Sequence, residues 1–343
     1  VQRDLVSLII NYMKLIESKA EYIPQEEGLE GIYKQIELAG RTAYHSQDKI
    51  TPTSAKDFVD KMIKSKHGAA LEHGTVYLKI PIHEMRYGLL FWINSSNIFY
   101  ENNPFSKSIN DRIFKLSPED NAYIVTNYRV IVENSKLDDL QYLCSPTEFH
   151  EKRYTMRFTC SRAIANELVR HRTMSFLQES TRYINYSKEC HGGEINFIKP
   201  SWFKENLLSV DSTVAQPSDT NGAVFYERPY KTYYLDGTET DGFDWDKEDF
   251  FIHSCQTAER CYLLMLEEGA TPQQARDVLP NATKTELVVT GFASDYKHLF
   301  DLRLFGKTGA PHPDMTDLMQ KAQAAMQEAG IWNDIMNKPS KFE

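Results

Sequence analysis

Between Arg170 and Tyr183 the chain reads Arg-His-Arg-Thr-Met-Ser-Phe-Leu-Gln-Glu-Ser-Thr-Arg-Tyr, three arginines, one histidine, five hydroxyl positions and the ionisable Glu179 in a single short run. Just before it, Ala165, Leu168 and Val169 follow a helix-like apolar pattern within Ala163 to Val169. Arg170 therefore marks the place where buried structure gives way to a site. Arginine presents a planar fork of donors that matches phosphate oxygens two at a time and keeps its charge at any physiological pH. The run predicts a site for an anionic small molecule, and the competing reading is a solvated basic face. In an extended chain Arg170 and Arg172 project to one side, and His171 faces the other way, toward the core or a second ligand.

The overall charge makes the basic residues a local matter. A formal net charge of -9 over 343 residues argues against a general nucleic-acid binder, which needs a broad basic surface. A nucleotide pocket needs only a few convergent cations in a concave site. With 41% hydrophobic and 25% charged residues and no apolar run long enough to span a bilayer, the chain reads as a cytoplasmic enzyme with no membrane partner. The apolar patch Leu5 to Ile10 is too short for a secretory signal and lacks a small-residue cleavage site. Cys144, Cys160, Cys190, Cys255 and Cys261 are odd in number with no CxxC spacing, so neither a zinc ribbon nor a disulfide framework is expected.

Periodicity places the elements. Ser54 can cap a helix with Phe58, Val59, Met62 and Ile63 on its apolar face, Asp57 completing a capping-box-like start. Val76 to Ile80 read as a strand, and so do Ala122 to Val132 and Leu287 to Val289. Glu248 to Glu268 reads as a helix ending at Gly269, and Thr271-Pro272 starts a short helix expected to carry Arg276. Ser294 to Leu304 and Asp314 to Ala329 read as helices, the second amphipathic. The acidic stretch Asp236 to Gly242 fails the calcium-loop template and reads as a surface loop. Residues 1–12 read either as a peripheral extension before Met13 or as an ordered N-terminal helix through Leu5, Ile9, Ile10 and Met13.

Arg170-His171-Arg172, seven residues, Ser180, then Arg182-Tyr183 resembles the signature of the flavin-dependent thymidylate synthases. Further blocks occur in the same order: His67-Gly68-Ala69-Ala70-Leu71-Glu72-His73, Ala275 to Pro280, and Lys297 to Arg303. The resemblance implies an α+β fold with a central mixed or antiparallel sheet flanked by helices. It implies one domain over residues 13–330, with long insertions at about 81–152 and 204–246.

The activity it implies is reductive methylation of dUMP to dTMP. Methylenetetrahydrofolate gives the carbon, FAD carries the hydride, NADPH is the reductant, and no metal is involved. A homotetramer with sites shared between subunits is also implied. Carried over residue by residue, Arg303 is the catalytic group, favouring the N3-ionised pyrimidine by placing a guanidinium beside the developing anion. Glu167, Leu168, Val169, Arg170, Gln178, Glu179, Ser180, Thr181, Arg182, Arg276 and Arg303 fall on dUMP-binding positions. Arg182 and Arg276 are the phosphate clamps among them. Ala69, Arg170, His171, Arg172, Thr173, Gln178 and His298 fall on FAD-binding positions, Ala69 through its backbone, and His67 aligns with a histidine near flavin and folate.

The pattern is departed from at Leu177-Gln178-Glu179, where Asn-Glu-Gln is frequent, and at Glu167, where Gln is frequent. A carboxylate only accepts, whereas an amide also donates, so hydrogen bonding must differ there. Ser180 has no histidine base placed beside it by sequence and is assigned to binding. Two other classes are a metal-dependent hydrolase using His67, His73 and His171, and a nucleotide-binding protein without turnover. The histidines of the first lack HExxH-like spacing.

Overall fold

The computed structural model describes residues 14–81, 98–110, 121–182, 185–186, 195–203, 207–211, 231–234, 239–240, 246–340 and 342. The expectations for residues 1–12, for Tyr183 and Cys190, and for most of the 236–242 loop lie outside these. The chain is a mixed arrangement of helices and mainly antiparallel sheets, with strands numbered along the chain. It divides into two compact units.

The larger unit comprises Lys19–Thr159, Ala165–Glu179 and Glu286–Glu343. Its four-stranded sheet has the order β2-β6-β12-β7, formed by Lys19–Tyr22, Arg153–Ser161, Lys284–Phe292 and Ser175–Gln178. β2 runs antiparallel to β6, and β7 antiparallel to β12 with Gln178 opposite Leu287. A three-stranded antiparallel sheet has β5 (Asn121–Asn127) between β3 (Thr75–Pro81) and β4 (Lys107–Asn110). Against β3 and β5 pack the helices Gly28–Ala43 and Ser54–Lys64. Ile32, Ile36, Phe58, Val59 and Met62 are buried with Val76, Leu78, Ile80 and Ile124 in one apolar cluster. Each such side chain contributes roughly 1.5–3 kcal/mol on leaving water. The two helices come close because Gly40 has no side chain; a Cβ there would lie 2.4 Å from the Phe58 ring.

The smaller unit comprises Val1–Ser18, Cys160–Ile164 and Ser180–Thr285. β1 (Lys14–Ile16) pairs in parallel with β8 (Asn196–Ile198), and β9 (Leu207–Asp211), β10 (Lys231–Tyr234) and β11 (Glu239–Thr240) form an antiparallel sheet in the order β11-β10-β9. The helix Lys247–Glu267 starts with a capping box between Asp246 and Asp249. It stops before Gly269, whose φ of +91° lies where a side chain is strained. Its face buries Ile252, Cys255 and Tyr262 against Phe197, Phe203 and Ala275.

Three expectations are corrected. Ala122 to Val132 is not one strand: β5 ends at Asn127, whose side chain accepts from Val130 N and caps the helix Tyr128–Glu133. Local capping there overrides a β-rich sequence. Ser54 is the first residue of its helix and not its cap, because its hydroxyl bonds Glu37 and the Thr51 carbonyl. The helix begun by Thr271-Pro272 ends at Ala275, and Arg276 opens a 3₁₀ turn, Arg276–Val278.

Candidate active site

Strand β6 runs into the helix Arg162–Leu168, which buries Leu168 and leaves Val169 37% exposed. The chain then does not extend. Tight turns follow, with Arg170 N–H bonded to Glu167 O, His171 N–H to Leu168 O, and Met174 N–H to His171 O. The alternation expected of a strand is reached by another route, with Arg170 and Arg172 exposed and His171 buried between them.

His171 meets the helix Ala293–Arg303. Arg303 Nη1 donates to Glu167 Oε2 at 2.8 Å, and Arg303 Nε donates to His171 Nε2 at 3.3 Å. A guanidinium can only donate, so His171 Nε2 is the acceptor in this contact. The His298 ring stands 6.1 Å from that of His171, edge to face, and stacks on Phe342 at 5.4 Å. Glu167, His171, His298 and Arg303, four residues picked out by sequence, thus form one cluster in the larger unit. Glu167, one of the departures from the common pattern, uses its carboxylate to hold the guanidinium.

The helix bearing His298 and Arg303 is fixed at both ends. At its start Phe292 N–H is accepted by Asp295 Oδ2, Ser294 N–H by Glu151 Oε1, and Lys107 Nζ reaches both Glu151 and Ser294. Asp295 Oδ1 also takes the Thr173 hydroxyl at 2.9 Å, tying the turn after Arg172 to this helix. Near its end the fully buried Asp301 accepts from Lys297 and Ser340, each at 2.6 Å. Burial pushes that carboxyl up, but these bonds outweigh it and hold it below the usual carboxylate range.

The block at 67–73 forms a short helix, Gly68–Leu71, leading into β3. His67 and Ala69 are exposed. The Tyr44 hydroxyl lies 2.8 Å from His67 Nδ1, with the two rings roughly stacked at 6.4 Å. His73, by contrast, is completely buried, its Nδ1 bonded to Thr290 Oγ1 at 2.8 Å and that hydroxyl to Thr155 Oγ1 at 2.8 Å. Burial, reinforced by the Arg153 charge, lowers the His73 pKa to about 3. It is a neutral core residue. At the end of β7, Glu179 is buried, with its backbone bonded to Glu286 O and its Oε2 accepting Glu286 N–H.

In the smaller unit Arg276 Nη1 reaches Thr181 Oγ1 at 3.4 Å, and its Nε lies 3.9 Å from Asp277. Thr181 is buried, Ser180 partly so, and Arg182 exposed. Two expected binding residues, Thr181 and Arg276, are therefore brought together here.

Sequence reasoning missed Tyr44, Asp295 and Phe342. Asp295 alone had a local signal, since it stands three residues after Phe292 where a helix-starting carboxylate belongs. Burial pushes the thiols of Cys160 and Cys255 up to about 12, which removes them as nucleophiles at neutral pH. Among the described residues no group of three or more His, Cys, Asp and Glu could hold a metal ion, and no helix is long and apolar enough to cross a membrane.

Arg303, Glu167, His171 and His298 thus make up one polar cluster on a mixed framework of helices and mainly antiparallel sheets. The model of the thymidylate synthase complementing protein family matches residues 135–329, more than half of the chain, and the chain belongs to that family. It is similar to a flavin-dependent thymidylate synthase of Pyrococcus abyssi, 28% identical over 145 residues, 42% of this chain and 43% of the relative. Another, of Haloarcula marismortui, is 26% identical over 164 residues, 48% of this chain and 59% of the relative. The matched stretch spans about half the length of these curated relatives. A solved structure of a UMP/dUMP methylase, PolB, from Streptomyces cacaoi superposes with a TM-score of 0.40 at 15% identity, covering 96% of this chain and 100% of the other. A superposition this loose adds no weight.

Proposed function

We propose that the chain is a flavin-dependent thymidylate synthase that converts dUMP to dTMP. Methylenetetrahydrofolate is the carbon donor, FAD the hydride carrier and NADPH the reductant. The observation that carries this reading is Arg303 held by Glu167 and His171 in a chain of this family. The residues present fit a flavin dinucleotide. The exposed Arg170 and Arg172 supply forks for its phosphates, and the hydroxyl of Thr173 and the rings of His171 and His298 supply polar and flat surfaces. Bound FAD supplies the hydride that reduces the transferred carbon to a methyl group.

The chain's own groups bind and polarise. Arg303 stabilises negative charge developing on the pyrimidine ring, a role worth roughly 3–4 kcal/mol for one well-placed donor. Arg276 and Arg182 clamp the nucleotide phosphate, with Thr181 beside Arg276 as a hydroxyl donor. Ser180, Gln178 and Glu179 line the nucleotide. Ala69 meets flavin through its backbone, and His67, exposed and held by Tyr44, stands near flavin and folate. The two units are read as one synthase domain over 13–330 with insertions at 81–152 and 204–246. The protein is read as a cytoplasmic homotetramer with shared sites, to be checked by light scattering.

Reconstitution with FAD tests the proposal. Protein that retains a flavin absorbance band after desalting, bleached by NADPH under anaerobic conditions, is the expected result. Protein that stays colourless yet binds dUMP would reduce it to a nucleotide-binding protein without turnover.

A further inference from the structure

Resting on that reading, we infer that Arg129, in the 81–152 segment, is a positioning residue for the flavin-facing turn at His67 to Leu71. The turn is only four residues of helix; Ala70 and Leu71 pack into the core, but His67 and Ala69 are exposed, so its outer face takes its hold from elsewhere. Besides Tyr44 on His67, what grips that face comes from the helix Tyr128–Glu133. Arg129 Nη1 donates to Glu72 Oε1 at 2.7 Å, and Arg129 Nε donates to Glu133 Oε1 at 2.9 Å. The guanidinium also lies directly over Gly68; a Cβ there would come within 2.7 Å of Arg129 Nε and 3.0 Å of Glu133 Oε1. The absence of a side chain at Gly68 lets the guanidinium lie against the backbone one residue before Ala69.

The rest of the helix is anchored so that Arg129 cannot drift. Asn127 caps it, Tyr128 N–H donates to Gly74 O at 2.8 Å, and the Tyr128 hydroxyl meets that of Tyr33 at 3.2 Å. β5, which delivers this helix, pairs with β3 along the whole of both strands. The turn is thus held at its exit, by Gly74 and by Glu72 through Arg129, and over Gly68 by the same guanidinium. A segment that reads as an insertion serves as a brace for the cofactor-facing backbone.

The test measures FAD dissociation constants and melting temperatures for wild type, Arg129→Met, Glu72→Gln, the double variant and Glu133→Gln. The Arg129–Glu72 pair is partly exposed, so its loss is expected to weaken FAD about fivefold, the scale of 1 kcal/mol. Arg129→Met and Glu72→Gln should each do this with little change in melting temperature. The double variant should be no weaker than either single one, the non-additive signature of a shared contact. Glu133→Gln, which leaves the Glu72 arm intact, should bind FAD like wild type. FAD affinities of Arg129→Met and Glu72→Gln equal to wild type, or additive losses, would overturn the inference alone. If Arg129→Met does not fold, Glu72→Gln against Glu133→Gln still decides it. A wild type that takes up no flavin would overturn the proposed function and this inference with it.

Discussion

Two arginines singled out by sequence are held in opposite ways. Arg303 is 23% exposed and engaged by a carboxylate at 2.8 Å and a ring nitrogen at 3.3 Å. Arg276 is 34% exposed, and its contacts among the described residues are the Thr181 hydroxyl at 3.4 Å and the Asp277 carboxylate at 3.9 Å. A guanidinium fixed before the ligand arrives can stabilise charge that develops during reaction without reorganising. One held loosely must gain its partners from the ligand, so it contributes to affinity more than to rate. On the proposed function, this contrast puts Arg303 in turnover and Arg276 in binding.

The comparison breaks first at Arg303. Arg303→Ala is expected to lower kcat by about 10²–10³ with a smaller change in dUMP affinity, in line with loss of one preorganised donor. A loss confined to KM would reverse the assignment. Arg276→Ala is expected to raise the dUMP dissociation constant about tenfold or more, the scale of one charge-assisted bond, while deoxyuridine, lacking the phosphate, is unaffected. Calorimetric titration of both ligands reads this directly, and equal losses for both would remove the phosphate role.

Smaller effects sharpen the same frame. His73 lies in the core, where burial gives it a native pKa of about 3 against an ordinary 6.5. Below pH 6.5 the unfolded chain takes up a proton that the native state refuses until about pH 3, so this group's contribution to stability is full above that window and drains as pH falls through it. The melting temperature should fall on acidification from about pH 7 to pH 5, and less steeply in His73→Gln. An unchanged slope would show that His73 does not set it. Glu167→Gln, which leaves Arg303 with a weaker acceptor, is expected to shift kcat/KM by only about two- to fivefold, the scale of a partly exposed ion pair. A loss as large as that of Arg303→Ala would make Glu167 indispensable to the reaction.

Much of this was legible because it is written locally. The β-branched alternation around Val76 and Leu287, the glycine stop at Gly269 and the Thr271-Pro272 start each act within a few residues. Glu167, His171, His298 and Arg303 were readable as site residues through their motif spacing. Their mutual contacts were not, since Glu167 and Arg303 are 136 positions apart. Tyr44 on His67 and Arg129 on Glu72 were hidden for the same reason, being fixed by how strands and helices pack. The change from strand to helix at Asn127 escaped because Tyr128 to Val132 favours strands by composition, while one side-chain cap decides otherwise.

The most direct measurement is single-turnover chemistry: protein loaded with FAD, reduced by NADPH without oxygen, then mixed with methylenetetrahydrofolate and dUMP, with product read by mass spectrometry. One dTMP formed for each flavin reoxidised is the predicted result. Flavin that stays reduced with dUMP unchanged would contradict the account.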